Sequence, residues 1–231
     1  ADQTVRCWGN NSQGQLGDGT RSNSFNAVAV TGLSGVQSIS AGPYTTCALT
    51  TTGAAVCWGG SDQGSVANSA PVTVFGVSAA TGVATDGESS CALLGGAVKC
   101  WGYNYWGALG NGTFVDSAIP VPVTGVSTAT ALSGGAGHYC ARLSSGTVQC
   151  WGGNFADGLG HVGQVGDSAL PLTVTNITTA VAVSAGWGFS CAALQNQSVQ
   201  CWGNADAGQL GANPASGSSS ATPLTVGGIT A

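Results

Sequence analysis

The tripeptide Cys-Trp-Gly occurs five times, starting at Cys7, Cys57, Cys100, Cys150 and Cys201, at intervals of 50, 43, 50 and 51 residues. A chain that returns to one phrase at a near-fixed period builds the same supersecondary unit repeatedly and stacks the copies. Neighbouring phrases repeat with it. A second cysteine precedes each of the last four, in Cys47-Ala48-Leu49, Cys91-Ala92-Leu93, Cys140-Ala141-Arg142-Leu143 and Cys191-Ala192-Ala193-Leu194. A glycine-rich stretch follows the tryptophan, clearest as Asn11-Ser12-Gln13-Gly14-Gln15-Leu16-Gly17-Asp18-Gly19-Thr20, and it recurs over 104–113 and 204–211. Then comes a proline phrase (Ala70-Pro71, Ile119-Pro120, Leu170-Pro171, Thr222-Pro223), a β-branched run and a small turn such as Ser40-Ala41-Gly42. Repetition covers residues 1–231 as one domain, with units near 1–40, 41–84, 85–133, 134–184 and 185–231.

Composition decides what each unit contains. Lys99 is the only lysine, Glu88 the only glutamate, and methionine is absent, so the residues that normally clothe exposed helices are missing. Glycine is abundant at 39 residues but follows no collagen-like period, and an apolar fraction of 43 % is too high for a disordered chain. A turn-rich all-β protein remains, and a unit near fifty residues with several short strands is the size of a β-propeller blade. Four basic residues against nine acidic ones leave a net charge of −5 and no basic face, which excludes nucleic acid and an anionic membrane surface as partners. No apolar run approaches the roughly 20 residues that span a bilayer.

Cysteine spacing reads as hairpin geometry. Cys47–Cys57, Cys140–Cys150 and Cys191–Cys201 lie ten apart and Cys91–Cys100 nine, so facing pairs need an odd loop in the first three and an even one in the last. Gly95-Gly96 suits a two-residue turn with positive φ at both positions. Thr51-Thr52-Gly53 and Ser144-Ser145-Gly146 suit three-residue loops ending in a left-handed glycine, whereas Gln195-Asn196-Gln197 lacks that glycine. Directly opposed strand residues bring their Cα atoms to about 4.5–5.5 Å, within disulfide reach. Four cross-strand disulfides are therefore predicted, which implies an oxidising compartment; the bland alternative is free cysteines filling a core. The spacing, without nearby histidines, does not fit zinc.

The phrases Cys-Ala-Leu, Val-Cys-Trp-Gly and Asn-x-x-Gly-Gln-Leu-Gly-Asp-Gly-Thr resemble the regulator of chromosome condensation repeat, in its cysteine-paired bacterial extracellular form. The resemblance covers the whole chain and implies a β-propeller of four-stranded blades, usually seven. The family's partners range from a small GTPase, for a nuclear exchange factor, to β-lactamases inhibited by secreted propellers. Disulfides and the lack of a basic tail speak against the exchange-factor role here. In the second unit Ser61-Asp62-Gln63-Gly64-Ser65-Val66 departs from the phrase, which predicts a trimmed outer loop.

Phasing the ends leaves a gap. Thr4-Val5-Arg6-Cys7 aligns with Ser198-Val199-Gln200-Cys201, and Gly228-Ile229-Thr230 with Asn176-Ile177-Thr178, so the counterpart of 180–194 is missing, with the partner of Cys7 in it. Three readings stand: a fragment of a longer ring, a five-unit molecule completed by strands from a neighbour, or a Cys7 cross-linked to another chain. Each makes the edge at 4–9 a place where a strand can add.

No catalytic constellation emerges. His138 and His161 are the only histidines. His138, in the turn before Cys140, suits a structural hydrogen bond, and His161, in an outer loop, is expected in solvent. There is no nucleophile elbow, P-loop or metal-spaced set, so neither an enzyme nor a cofactor is expected. Asp86 and Glu88 share one turn without a matching acid opposite, and Asp18-Gly19 and Asn111-Gly112 read as turns instead of calcium loops. The tryptophans of the repeat (Trp8, Trp58, Trp101, Trp151, Trp202) are expected to pack between blades. Aromatics outside the repeat carry the functional expectation. Tyr44, His138, Tyr139, Trp187 and Phe189 precede the Cys-Ala phrases, with Glu88 at the same place in its unit, and such loops converge near a propeller axis. Tyr103, Tyr105, Trp106 and Phe155 follow Cys-Trp-Gly and are expected to rim the outer part of a face. The sequence thus predicts a secreted, non-enzymatic module binding a protein or glycan through aromatic loops. The alternative is a structural subunit of an extracellular assembly that uses its open blade or Cys7 to contact further copies of itself.

Overall fold

The computed structural model describes residues 3–60, 68–164, 166–214 and 218–229. The first sheet has two strands, β1 (Arg6–Gly9) and β2 (Ser24–Ala29). Four antiparallel four-stranded meanders follow. They are β3 (Val36–Ala41), β4 (Thr45–Thr50), β5 (Ala55–Gly59) and β6 (Asn68–Thr73); then β7 (Gly82–Thr85), β8 (Ser89–Leu94), β9 (Ala97–Gly102) and β10 (Ser117–Pro122). Next come β11 (Ala129–Gly134), β12 (His138–Leu143), β13 (Val148–Gly152) and β14 (Ser168–Thr173); and last β15 (Ala180–Ala185), β16 (Phe189–Leu194), β17 (Val199–Asn204) and β18 (Ser219–Thr225). This is a β-propeller with an incomplete first blade. The repeat read from the sequence is offset from the sheets by one strand, because the run that closes each sequence unit is the innermost strand of the next sheet.

The hairpin arithmetic holds in space. Cys47 faces Cys57, Cys91 faces Cys100, Cys140 faces Cys150 and Cys191 faces Cys201, each pair disulfide-bonded with Cα atoms 4.0–4.1 Å apart. Gly95 and Gly96 form the two-residue turn with φ of 57° and 98°. The loop over 195–197 takes the same path as its glycine-ended counterparts, with Gln197 in the left-handed position.

Each Cys-Trp-Gly strand slips register against its outer neighbour: Cys150 faces Leu172 but Gly152 faces Ser168, and Cys57/Gly59 and Cys201/Gly203 behave alike. Such a bulge interrupts the ladder and turns the tryptophan out of it. Pro71, Pro171 and Pro223 fall inside these outer-strand irregularities, where a missing N–H breaks no ladder bond. That accounts for the proline phrase.

Trp58, Trp101, Trp151 and Trp202 are buried, each within an apolar cluster; Trp101, for example, sits with Val74, Val77 and Ala80. The indole N–H of Trp58, Trp151 and Trp202 donates to Gln15 O, Ala108 O and Gly158 O at 2.9–3.0 Å, joining each sheet to the outer loop of the one before. The leucine of the loop phrase is buried (Leu16, Leu109, Leu159, Leu210), and an asparagine forms its hub: Asn104 Oδ1 accepts from Leu109 N, and its Nδ2 donates to Thr113 O. Gly110 closes the loop at φ 62°, where a Cβ would lie 2.8 Å from the Trp151 ring. The Gly-Gln-Leu-Gly phrase is therefore a packing device. The trimmed loop predicted over 61–66 lies outside the described residues.

Trp8 departs from the expectation. It is 66 % exposed, because among the described residues β1 pairs with β2 alone and no inner strand or outer loop of another sheet covers the ring. Cys7 is a free, half-buried thiol, and burial raises its pKa. An open groove of about 380 Å³ lies between β1 and the β3–β4 hairpin, lined by Cys7, Trp8, Ile39 and Pro43 among others.

Candidate functional site

The inner strands carry serines that tie sheet to sheet. Ser40 Oγ accepts from Thr85 N at 3.1 Å, and Ser133 Oγ from Ala185 N at 3.0 Å. Where the inner turns meet, space runs out: a Cβ on Gly42 would lie 2.5 Å from Gly87 N, and one on Gly135 2.3 Å from Gly186 O. These contacts draw the β3–β4, β7–β8, β11–β12 and β15–β16 turns together near the axis. The residues that differ from turn to turn are thereby brought to one place.

That place is a bowl of about 420 Å³. Tyr44 comes from the first turn, Asp86 and Glu88 from the second, and Trp187 from the fourth; Trp106 and Phe155 reach in from the loops after β9 and β13. The third turn contributes only Ala136 and Gly137. Its bareness matters, because a Cβ on Gly137 would lie 3.1 Å from Phe155 and 3.3 Å from Trp106, so glycine admits both rings. Trp106 and Phe155 meet edge to face at 4.8 Å, and Tyr105 continues the series against Trp106 at 4.6 Å. A second cavity of about 250 Å³ adjoins it, lined by Thr85, Asp86 and Gly135 among others. A side pocket of about 140 Å³ opens between Phe155 and Trp187.

Trp187 is 77 % exposed, an indole with its surface in water at the lip of the bowl. Asp86 is the opposite: buried, with Oδ1 accepting from Glu88 N and Ser89 N and Oδ2 from Ser89 Oγ at 2.6–2.9 Å. Burial pushes its pKa up to about 6 against the pull of these bonds. Tyr139 OH braces the turn by accepting from Asp86 N at 3.1 Å, and burial holds its pKa well above the usual phenol value.

Two of the residues expected on this face lie beneath it. His138 and Tyr139 are fully buried: His138 Nε2 pairs with Ser190 Oγ at 2.8 Å, and the Tyr139 ring stacks on Trp151. They point into opposite sheet interfaces, His138 toward β16 and Tyr139 toward the β7–β8 turn, so they hold the turns and offer no ring to a ligand. Burial lowers the His138 pKa to about 4. Phe189 packs where a Cβ on Gly186 would stand, and Tyr105, 60 % exposed, lies outside the bowl wall. Tyr44, Glu88, Trp187 and Trp106 do line it. Asp86, dismissed as half of a catalytic pair, sits in the wall, and Phe155 of the expected rim forms part of the bowl. Asp18 accepts from Thr20 N and Thr20 Oγ1, and Asn111 likewise from Thr113, as turn residues.

Two models described as regulator of chromosome condensation (RCC1) repeat match the sequence, one over 36–65, 129–157 and 180–209, the other over 4–49 and 96–142. The chain belongs to this family. Human WBSCR16 superposes with a TM-score of 0.84 at 22 % identity, over 97 % of this chain and 62 % of its own. The chain thus spans less than two thirds of that relative's length. Prp20p from Saccharomyces cerevisiae, crystallised in a study of its binding to Gsp1p and histones, superposes at 0.64 with 15 % identity over 99 % of this chain and 75 % of its own. The same yeast RCC1 bound to Kap60 gives 0.62, also at 15 % identity, over 99 % and 73 %. At these identities the likeness concerns the fold. Among curated proteins no sequence matches.

Proposed function

We propose that this RCC1-repeat propeller is a secreted, non-enzymatic binding module that engages a protein or glycan through the axial bowl. One observation carries the reading: the inner turns share a backbone but differ in the side chains they present (Tyr44, Glu88, Trp187), and these open onto one cavity with exposed rings. Rigid sheets presenting varied aromatic loops make a recognition surface. The yeast relative's binding to Kap60, Gsp1p and histones favours a protein partner. Four cross-strand disulfides support an oxidising compartment. The test is to compare capture from an extracellular fraction by the parent chain, Trp187→Ala and Phe25→Ala, the last a fully exposed ring on β2 outside the bowl. A partner held by the parent and Phe25→Ala but lost by Trp187→Ala supports the reading. Equal retention by all three overturns it.

The groove beside β1 favours a second reading, in which strands from farther along a longer chain or from another copy complete the first sheet and bring a cysteine to Cys7. Intermolecular completion predicts a particle larger than one chain by light scattering that shrinks with reductant. A single-chain mass in both conditions rules it out.

A further inference from the structure

We propose that the bowl is selective for a cationic side chain, a lysine or arginine offered by a protein partner, taken between aromatic walls and the carboxylates of Asp86 and Glu88. The inference rests on the reading above and names its ligand class. Charge is the first argument. Two carboxylates line the cavity and no lysine, arginine or histidine does. None of the chain's four Lys or Arg side chains lines it: Lys99 Nζ donates to Gly76 O, Arg142 donates to Ala180 O and Thr130 Oγ1, Arg6 lies on β1 beside the open groove, and Arg21 is in the loop before β2. Any cation that balances the bowl must therefore come from outside.

The walls supply the second argument. Tyr44, Trp106, Phe155 and Trp187 line the same cavity as the carboxylates, and a desolvated cation is drawn to a ring face through its quadrupole. Trp187, the most exposed, offers the best ring of the set for this. Their apolar surfaces also accept the methylene stem of lysine or arginine, which burial of a small polar ion would waste. Size agrees, since about 420 Å³, adjoining a second cavity of about 250 Å³ that shares Asp86 and Trp187, admits a long side chain.

What the lining lacks separates this from sugar binding. No Asn, Gln, Ser or Thr side chain lines the bowl, so the side-chain partners for a neutral glycan's hydroxyl groups are the two carboxylates and the Tyr44 hydroxyl, and such a ligand leaves their charge unbalanced. Asp86 is already saturated by three donors from its own turn, so it acts as an oriented fixed charge while half-buried Glu88 is left to move onto the ligand.

The experiment titrates the full chain with Nα-acetyl-lysine methylamide, with its Nε-acetylated twin and with methyl β-glucoside, following tryptophan indole N–H signals by NMR. The lysine compound should shift the Trp187 signal and bind roughly fivefold or more tighter than its neutral twin. Glu88→Gln should remove most of that preference. Asp18→Asn, an equal change of charge in an outer-loop turn that Asn111 shows to accept asparagine, should preserve it. Equal binding of the twin, equal loss in both variants, or no shift at Trp187 with the lysine compound overturns the proposal. A glucoside that shifts Trp187 where lysine does not would refute the cation and leave the bowl as the binding site. If no probe reaches Trp187 and Trp187→Ala still captures every partner, both readings fall.

Discussion

Strands β1 and β13 carry the same tripeptide and meet opposite fates. Cys7 faces Val28 and Cys150 faces Leu172, with the same slip toward the glycine, so the outer registers match. Yet Trp151 is fully buried, its N–H bonded to Ala108 O and its ring covered by Gly110, while Trp8 is 66 % exposed. The difference teaches that Cys-Trp-Gly specifies a bulged strand but not a core. Burial is conferred by two inner strands and by the outer loop of the preceding sheet.

The widest gap should appear on truncating the two rings. Trp151→Ala removes a buried indole and its hydrogen bond and should cost about 3–5 kcal/mol in urea denaturation. Trp8→Ala, on the open edge, should cost less than about 1 kcal/mol. Equal losses would break the comparison and mean that Trp8 is covered in solution.

The inner turns allow a subtler contrast, between Asp86 of the β7–β8 turn and His138 at the start of β12. The native Asp86 pKa lies above its ordinary 3.8, at about 6, so the folded state holds a proton that the unfolded state has released. Its contribution to stability therefore falls as pH rises through that window, by roughly 3 kcal/mol. His138 is lowered from 6.5 to about 4, so here the unfolded state binds the extra proton and stability falls as pH drops, again by roughly 3 kcal/mol. The two slopes oppose one another between pH 4 and 6. Asp86→Asn should unmask a loss of stability toward acid pH that the parent does not show, and His138→Gln the reverse. Parallel pH profiles for parent and Asp86→Asn would contradict this balance.

Legibility followed the repeat. The all-β class, the four disulfides and the turn types could be read because they depend on local spacing, in which cysteine separation sets loop parity and loop parity sets the turn residue. Trp8 was misread because its burial depends on neighbours absent from its own sheet. Tyr139 lies beneath the face expected of it, while His138 takes the structural hydrogen bond also expected of it, because direction is decided by the pleat. The first residues of β12 alternate between the two sheet interfaces, His138 toward Ser190 and Tyr139 toward Asp86, whereas Trp187 stands two residues before β16. Asp86 was overlooked for want of a second acid, a catalytic criterion that says nothing of binding. One signal did point to Trp106 and Phe155 reaching the axis: the third inner turn, Gly134-Gly135-Ala136-Gly137, has no side chain large enough to fill its share of the face.

The smallest effect lies at a position where the backbone is shared and the residue is not. Gly146 closes the β12–β13 hairpin at φ 84°, and Gln197 closes the β16–β17 hairpin at φ 69°. In both, the residue's N–H reaches back to the leucine that ends the preceding strand, Leu143 O or Leu194 O, at 3.0 Å. The loop path is thus imposed by the cysteine register on either side, and glutamine is held in a conformation that costs an L-residue about 1–2 kcal/mol. Glycine removes that strain but gains freedom in the unfolded chain, which offsets part of the benefit. Gln197→Gly should accordingly raise stability by about 0.5–1 kcal/mol, read as a higher urea midpoint at unchanged slope. Gly146→Ala, where a Cβ would lie 2.6 Å from Thr178 O, should lower it by more. A destabilised Gln197→Gly would mean that the fourth hairpin takes another path in solution, and that the register of its cysteines does not dictate the turn.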